Sequence, residues 1–119
     1  MNKKEDLNFR NLEVEDMFLI LDLIEALGIN EFSECFENVE GKDNYTIGVD
    51  VAFKVGSKII KNLKKCKNEI YSILSALSNR PFEEIAKMDL VSTMKAILKL
   101  VKGEDFQDFL EVASQFRKK

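Results

Sequence analysis

The chain carries its strongest structural signal in residues 70–101, where two periodic apolar runs flank its only proline, Pro81. In both runs the apolar side chains recur at helical spacing: Ile70, Ile73, Leu74 and Leu77, and then Leu90, Met94, Ile97, Leu98 and Val101. This spacing places each set on one face of an α-helix. Such faces must be buried against other helices. The stretch therefore predicts a helical bundle whose other elements pack around this helical hairpin.

The link between the two runs contains signals for helix starts. Proline fits the first turn of a helix, because its missing N–H has no partner there. Glu83 and Glu84 follow where the helix dipole favours negative charge. Asp89 is expected to cap the next helix, since its carboxylate accepts from the free amides of a first turn. We predict two long helices joined by a short one that begins at Pro81.

Length and composition are typical of a single helical domain. A chain of 119 residues encloses one modest core, and one proline with five glycines suits helices better than many short strands. No apolar run approaches the roughly 20 residues that span a bilayer, and the N-terminus lacks the apolar stretch of a secretory signal. We predict an intracellular, all-α, single-domain bundle of about five to six helices at residues 13–119. A flexible segment at residues 1–12 and a loop at 38–46 complete it.

Residues 45–55 fit two different periods. Their apolar side chains alternate, as in a half-buried strand, but the pattern also continues at helical spacing through Ile59, Leu63 and Ile70. A single strand would lack a partner, so we favour one long or kinked central helix from about Ile47 to Leu77, with a break at residues 64–68. Gly56 within it costs about 1 kcal/mol relative to alanine.

The first helix is expected to run from Val14 to Leu27 and to end at Gly28 in a left-handed cap. Its acids occupy roughly one half of the helix, and most of its apolar residues occupy the other half. Phe18 and Leu19 break this division, because Leu19 lies near the middle of the acidic half and Phe18 lies at its edge. Either another element covers this face or the face contacts a partner.

The last helix, from Glu104 to Phe116, places several apolar side chains on one face, including three phenylalanines. This face either docks on the bundle or is offered to a groove in a partner. The candidate partner-binding residues from the two terminal helices are Phe18, Leu19, Asp22, Phe106, Phe109 and Phe116.

The net charge of −3 conceals an asymmetry, since residues 1–53 hold 13 acids and 4 bases, whereas residues 54–119 hold 8 acids and 14 bases. Four lysines share one helical stripe: Lys54, Lys58, Lys61 and Lys65. The stripe is a candidate basic surface that could follow phosphates, as in a small helical DNA-binding regulator. However, it contains no arginine, and groups that stack on bases are missing nearby. The alternative is a solvated face, or one that pairs with the acidic half of the chain.

The sequence contains no recognisable catalytic, cofactor or metal site. Histidine is absent, and Cys35 and Cys66 are too far apart in sequence for a zinc-binding CxxC pair. Both cysteines are expected to be reduced and packed as small apolar residues. Paired acids such as Glu83 and Glu84 are explained by their place at helix starts. We predict an interaction protein that is not an enzyme and needs no cofactor.

Three segments together resemble the tail assembly chaperones of long-tailed, siphovirus-type phages of Gram-positive bacteria. They are FRNLEVEDMFLILDLIEALGINEF, then IGVDVAFKVGSKIIKNLKKCKNEIYSILSALSNRPFEEIAKMDLVSTMKAIL, and finally EDFQDFLEVASQF. The resemblance covers about nine-tenths of the chain, outside loop 38–46. It consists of helix starts and apolar positions, without a catalytic signature.

The resemblance implies a specific role. Such chaperones bind the tape measure protein in the host cytoplasm, keep its hydrophobic segments soluble, help to recruit tail tube subunits and are absent from the mature virion. Many have a longer form made by a programmed ribosomal frameshift, with which the terminal Lys118-Lys119 is compatible. Self-association is left open.

Acids around an apolar spot suit a basic partner segment. The Leu19→Asp variant is expected to keep the fold and to weaken tape measure binding.

Overall fold

A computed structural model describes residues 7–37 and 44–117 of the chain, with side chains described at 7–37, 48–110 and 112. These residues form helices and no strand, which confirms the predicted all-α fold. Residues 38–43 of the predicted loop and the terminal Lys118-Lys119 lie outside them. The seven helices in the described part are α1 (Val14–Leu27), α2 (Ile29–Glu34), α3 (Asn44–Lys61), α4 (Leu63–Ser78), α5 (Phe82–Ala86), α6 (Leu90–Lys102) and α7 (Glu104–Arg117).

Two groups of helices enclose one continuous core. Helix α1 packs mainly on α4, while α3 packs on both α6 and α7. The short α5 packs on α4, and α2 bridges from α1 towards α3. The most fully buried large side chains come from nearly every helix and from the segment before α1: Leu7, Leu27, Val51, Val55, Ile59, Ile70, Ile73, Leu74, Ile85, Ile97, Val101 and Leu110.

The 70–101 stretch forms the predicted helices but not the predicted hairpin packing. Asp89 caps α6, its carboxylate accepting from the Ser92 N–H at 3.1 Å. Pro81 is the N-cap of α5 and precedes its first turn. Helices α4 and α6 contact each other only sparsely, because α4 buries its face on α1 and α6 buries its face on α3. The bundle is therefore organised by these two pairings.

The central helix divides at Asn62, which has φ −113° and ψ 28°. The Asn62 side chain donates to the Lys58 carbonyl oxygen at 2.9 Å, an acceptor that it shares with the Asn62 backbone N–H. The side-chain amide thus competes with the backbone hydrogen bonds of the helix, which favours a break at this residue. The break lies two residues before the predicted window, and a second non-helical residue, Cys66, lies inside it. The division explains why the helix count exceeds the expected five to six.

Helix α3 begins earlier than predicted, at Asn44. The last three residues of the expected loop 38–46 are therefore helical. The alternating apolar pattern of residues 45–55 belongs to this helix, so the helix that the sequence analysis favoured over a strand is confirmed. Its side chains at the buried positions, Val51, Val55 and Ile59, follow the four-residue spacing.

Gly28 ends α1, but not in the left-handed conformation that was predicted. Its φ of 110° and ψ of 131° lie outside the left-handed helical region, in a conformation that side chains rarely adopt. The Gly28 N–H still closes the helix by donating to the Ile24 carbonyl oxygen at 2.9 Å. The more extended turn lets α2 start at the next residue.

The segment before α1 is attached to the bundle from Leu7 onwards. Leu7 is buried, and its carbonyl oxygen accepts from the Lys99 ammonium at 2.5 Å. The Arg10 N–H donates to the Leu77 carbonyl oxygen at 3.0 Å, and the Leu12 N–H donates to Asp105 at 2.9 Å. The flexible segment predicted over residues 1–12 therefore does not extend through residues 7–12, and residues 1–6 lie outside the described part.

An ion pair joins this segment to the start of α1. The Arg10 guanidinium donates to both oxygens of the buried Asp16, at 2.7 and 3.1 Å, and the Glu13 N–H donates to the same carboxylate at 2.7 Å. The hydrogen bond from Arg10 is the main reason that the pKa of Asp16 is lowered, and it acts against desolvation. Bidentate pairs of this kind fix geometry as well as charge.

Replacing Asp16 with asparagine should destabilise the protein in a pH-dependent way. The folded pKa of Asp16 lies below the unfolded value of about 3.9, so its charge stabilises the fold above that pH, and this stability is lost as the pH falls. We expect Asp16→Asn to cost about 1–3 kcal/mol at pH 7 in urea unfolding. This difference should shrink below about pH 4. Asp22→Asn, at an exposed position of the same helix, is the control and should change little.

At Gly56 helix α3 approaches α6 closely. A Cβ at this position would lie 3.1 Å from Val101 Cγ2 and 3.6 Å from Leu98 Cδ2. We expect Gly56→Val to lower the free energy of unfolding by about 1–3 kcal/mol through overpacking. The Ser57→Val variant places the same β-branched side chain at the exposed neighbouring position and should cost clearly less. Equal losses in chemical denaturation would contradict this role of Gly56.

Candidate partner-binding groove

Helix α1 has two apolar faces, and the described side chains of the bundle cover only one of them. Ile20, Leu23 and Leu27 point into the core. A second set is exposed at spacings of three and four residues, which we name the α1 stripe: Val14, Met17, Phe18 and Leu21. Val14 is 77% exposed and Phe18 is 54% exposed. The α1 stripe extends along about two helical turns, or roughly 10 Å.

The α1 stripe runs into a groove between α1 and α7, which we name the α1–α7 groove. Met17 and Ile20 form its α1 wall, and Phe109 and Val112 form its α7 wall. Leu12, in the segment before α1, also lines it. The groove has a volume of about 520 Å³ and is open to solvent. Stripe and groove form a continuous apolar surface through Met17, which belongs to both. Among the other described side chains, Ile29 on α2, Phe53 on α3 and Leu90 on α6 are also exposed.

The α1–α7 groove is bordered by acids. Glu13, Asp105 and Asp108 line it. The segments 14–27 and 104–112 each contain four acids and no lysine or arginine. Within this group Asp16 is neutralised by Arg10, and Asp105 accepts the Leu12 N–H. The surface around the groove is therefore strongly negative, which keeps an exposed apolar patch in solution and selects partners by charge.

The candidate residues of α1 separate into two environments. Phe18 is exposed in the α1 stripe, and its role as a partner contact stays a prediction. Leu19 is half-buried against the core and beside a small crevice that is lined by Asp22 and by Asn68, Glu69 and Ser72 of α4. Its assignment to the partner surface is corrected, because α4 covers that side of α1. Asp22 is exposed at the edge of this crevice.

Phe106 and Phe109 of α7 serve mainly to dock this helix on the bundle. Phe106 is only 2% exposed, so its assignment as a partner contact is wrong. Phe109 is partly buried and lines the groove. The ring centroids of Phe109 and Phe106 lie 6.2 Å apart. The side chain of Phe116 lies outside those that the structure describes. The reason for the correction is that α7 packs its apolar face on α3.

Four exposed apolar residues of the stripe and groove were not among the sequence candidates: Val14, Met17, Leu21 and Val112. The spacing of the first three with Phe18 is visible in the sequence. Leu21 lies on the half of α1 opposite most of its acids, where Ile20 and Leu27 are buried but Leu21 is exposed. Only the positions of α4 and α7 decide which of these side chains remain exposed.

The lysine stripe is partly engaged within the protein. The Lys58 ammonium lies 2.6 Å from a carboxylate oxygen of Glu31 and 2.6 Å from one of Glu34, both on α2. These hydrogen bonds, chiefly that to Glu31, raise the pKa of Lys58, and Lys58 lowers the pKa of Glu31. Lys54 donates to the Glu37 carbonyl oxygen, whereas Lys61 and Lys65 are exposed. Part of the charge asymmetry is thus balanced between α2 and α3.

Cys35 and Cys66 are free and buried, as predicted. Burial raises the pKa of Cys35 to about 11 and also raises that of Cys66, so both thiols stay protonated at neutral pH. Among the described residues there is no cluster of acids or cysteines that could hold a metal ion. Within the same ranges, no helix combines the length and apolar character required to cross a bilayer.

Comparisons of the chain with protein-family models, with curated proteins and with solved structures gave no match in any of the three. The interpretation of function therefore rests on the α1 stripe and the α1–α7 groove.

Charged substitutions at neighbouring positions of α1 should separate its exposed side from its covered side. We expect Phe18→Asp to change the free energy of unfolding by less than about 0.5 kcal/mol, because its side chain is largely in solvent. Leu19→Asp should cost about 1–3 kcal/mol, because it places a carboxylate against α4 beside Glu69. Thermal and urea unfolding measure both effects. A larger loss for Phe18→Asp would show that the stripe is covered.

Proposed function

We propose that this protein is a phage tail assembly chaperone that binds hydrophobic segments of the tape measure protein and keeps them soluble. The observation that carries the proposal is the continuous exposed apolar surface of the α1 stripe and the α1–α7 groove. A protein that shields aggregation-prone segments needs apolar contact area of its own. It must also remain soluble without its client, and the acids around the groove favour that.

The contact surface lies on a firmly held helix. Ile20, Leu23 and Leu27 anchor α1 in the core, and Asp16 ties its first turn to Arg10. A surface of this kind loses little conformational entropy on binding, because its backbone is already ordered. Contacts of moderate strength at such a site allow the client to be released when tail tube subunits arrive.

The remainder of the proposed role follows from the family resemblance. The chaperone acts in the host bacterial cytoplasm, holds the tape measure protein during assembly, helps to recruit tail tube protein and leaves before the virion matures. It performs no catalysis and needs no cofactor. It acts by forming and releasing apolar contacts with the tape measure protein.

The competing proposal, a DNA-binding regulator, is less well supported. Lys58, in the middle of the lysine stripe, is held by Glu31 and Glu34. A phosphate would have to compete with two carboxylates for this ammonium group. A salt series of gel shifts distinguishes the proposals, since a regulator should bind in a sequence-dependent manner that weakens steeply with salt.

Co-expression with the tape measure protein of the same phage tests the proposal. The wild type should increase the soluble yield of the tape measure protein and co-purify with it. The double variant Phe18→Asp/Leu21→Asp removes two exposed apolar side chains of the stripe. Each contributes about 1.5–3 kcal/mol when buried, so co-purification should fall by about tenfold or more.

Leu90→Asp is the matched control for this experiment. Leu90 is 66% exposed on α6 and belongs to neither the α1 stripe nor the groove. This variant should bind the tape measure protein as the wild type does. The proposal fails if the wild type neither solubilises nor retains the tape measure protein.

A further inference from the structure

We infer that the α1 stripe and the α1–α7 groove bind an amphipathic helix that has bulky apolar side chains on one face and lysines or arginines beside them. The inference rests on the proposed function for the identity of the protein that carries this helix. It adds the conformation and the charge of the segment that is recognised.

The shape of the surface favours a helical occupant. The exposed side chains of α1 recur at three- and four-residue spacing along about 10 Å, which matches the i, i+3, i+4 and i+7 anchors of a helix in a groove. The groove beside them, at about 520 Å³, is within the size range of pockets that enclose side chains and ligands.

The backbone hydrogen bonds of the bound segment give a second reason to expect a helix. An extended peptide binds well when a sheet edge pairs with its N–H and C=O groups. The described part of this protein contains no strand, and the groove is lined by two helices whose backbone groups bond internally and by residues 11–13, where Asp105 already accepts the Leu12 N–H. A helix satisfies its own backbone hydrogen bonds and needs only side-chain contacts from the surface.

Charge complementarity defines the flanks of the bound helix. Glu15 and Asp22 are exposed on one side of the α1 stripe, and Glu25 follows at its C-terminal end, by their positions around α1. On the other side, Glu13 and Asp108 line the groove. Any helix lying on the stripe therefore has acids along both of its edges. Basic flanks are attracted to both, whereas acidic flanks are repelled by both.

Synthetic peptides test the inference directly. The probe is a labelled peptide of about 15 residues with leucines at helical spacing and lysines beside them. One control peptide replaces every lysine with glutamate, and another keeps the composition but scrambles the order. By fluorescence anisotropy at low salt, we expect the lysine peptide to bind at least about tenfold more tightly than either control. Its affinity should decrease as salt is added.

Variants of the protein locate the binding site. Met17→Asp should weaken the lysine peptide by about tenfold, because Met17 belongs to both the stripe and the groove. Asp108→Lys should weaken the lysine peptide and strengthen the glutamate peptide, a reversal that loss of fold would not produce. Leu90→Asp is again the control and should bind both peptides as the wild type does. Thermal unfolding verifies that each variant is folded.

Several outcomes would overturn the inference. They are equal binding of the lysine and scrambled peptides, unchanged binding by Met17→Asp, and the absence of a charge reversal in Asp108→Lys. Light scattering over a range of concentrations detects a second copy in the groove, and a self-associated form that the peptide does not displace would also overturn it. If the tape measure protein co-purifies but the peptide does not bind, the proposed function stands and this inference fails. The opposite pair of results would reject the proposed function alone.

Discussion

Helix α1 is apolar on two faces, and the described part of the fold buries only one of them. The buried face is fixed by Ile20, Leu23 and Leu27, which pack with α4 and the core, and by the charged contact between Asp16 and Arg10. Once that orientation is set, Val14 and Phe18 remain largely exposed in the described part of the chain. The same constraint places Leu12 beside α7 and so completes one wall of the α1–α7 groove.

Exposed apolar surface is a risk that this molecule balances with charge. The segments that form α1 and the described side chains of α7 contain acids and no bases, so copies of this face repel each other. Elsewhere opposite charges meet, as when Lys58 bridges Glu31 and Glu34 between α3 and α2. The charge asymmetry of the chain thus has two parts. One part stabilises the contact of neighbouring helices, and the other surrounds the apolar surface and defines which partners it attracts.

The corrected residues show how this surface depends on neighbours. Leu19 and Phe18 are adjacent in sequence, yet α4 covers the first and leaves the second exposed. Phe106 and Phe109 share the apolar face of α7, but only Phe109 reaches the groove. The spacing of 14, 17, 18 and 21 was readable beforehand. It could not be assigned as exposed, because a helix with apolar residues around most of its circumference does not indicate which face is covered.

Local sequence determined the all-α character, the ends of most helices and the cap at Asp89, because helix periodicity and capping depend on residues a few positions apart. It also determined that the cysteines would be packed as apolar residues. The tertiary structure decided which helices pair: α1 with α4 and α3 with α6 and α7, in place of a central hairpin. It also decided that residues 7–12 lie against the bundle. Pairing depends on how several apolar faces compete for one core, so the groove exists only once the helices have packed.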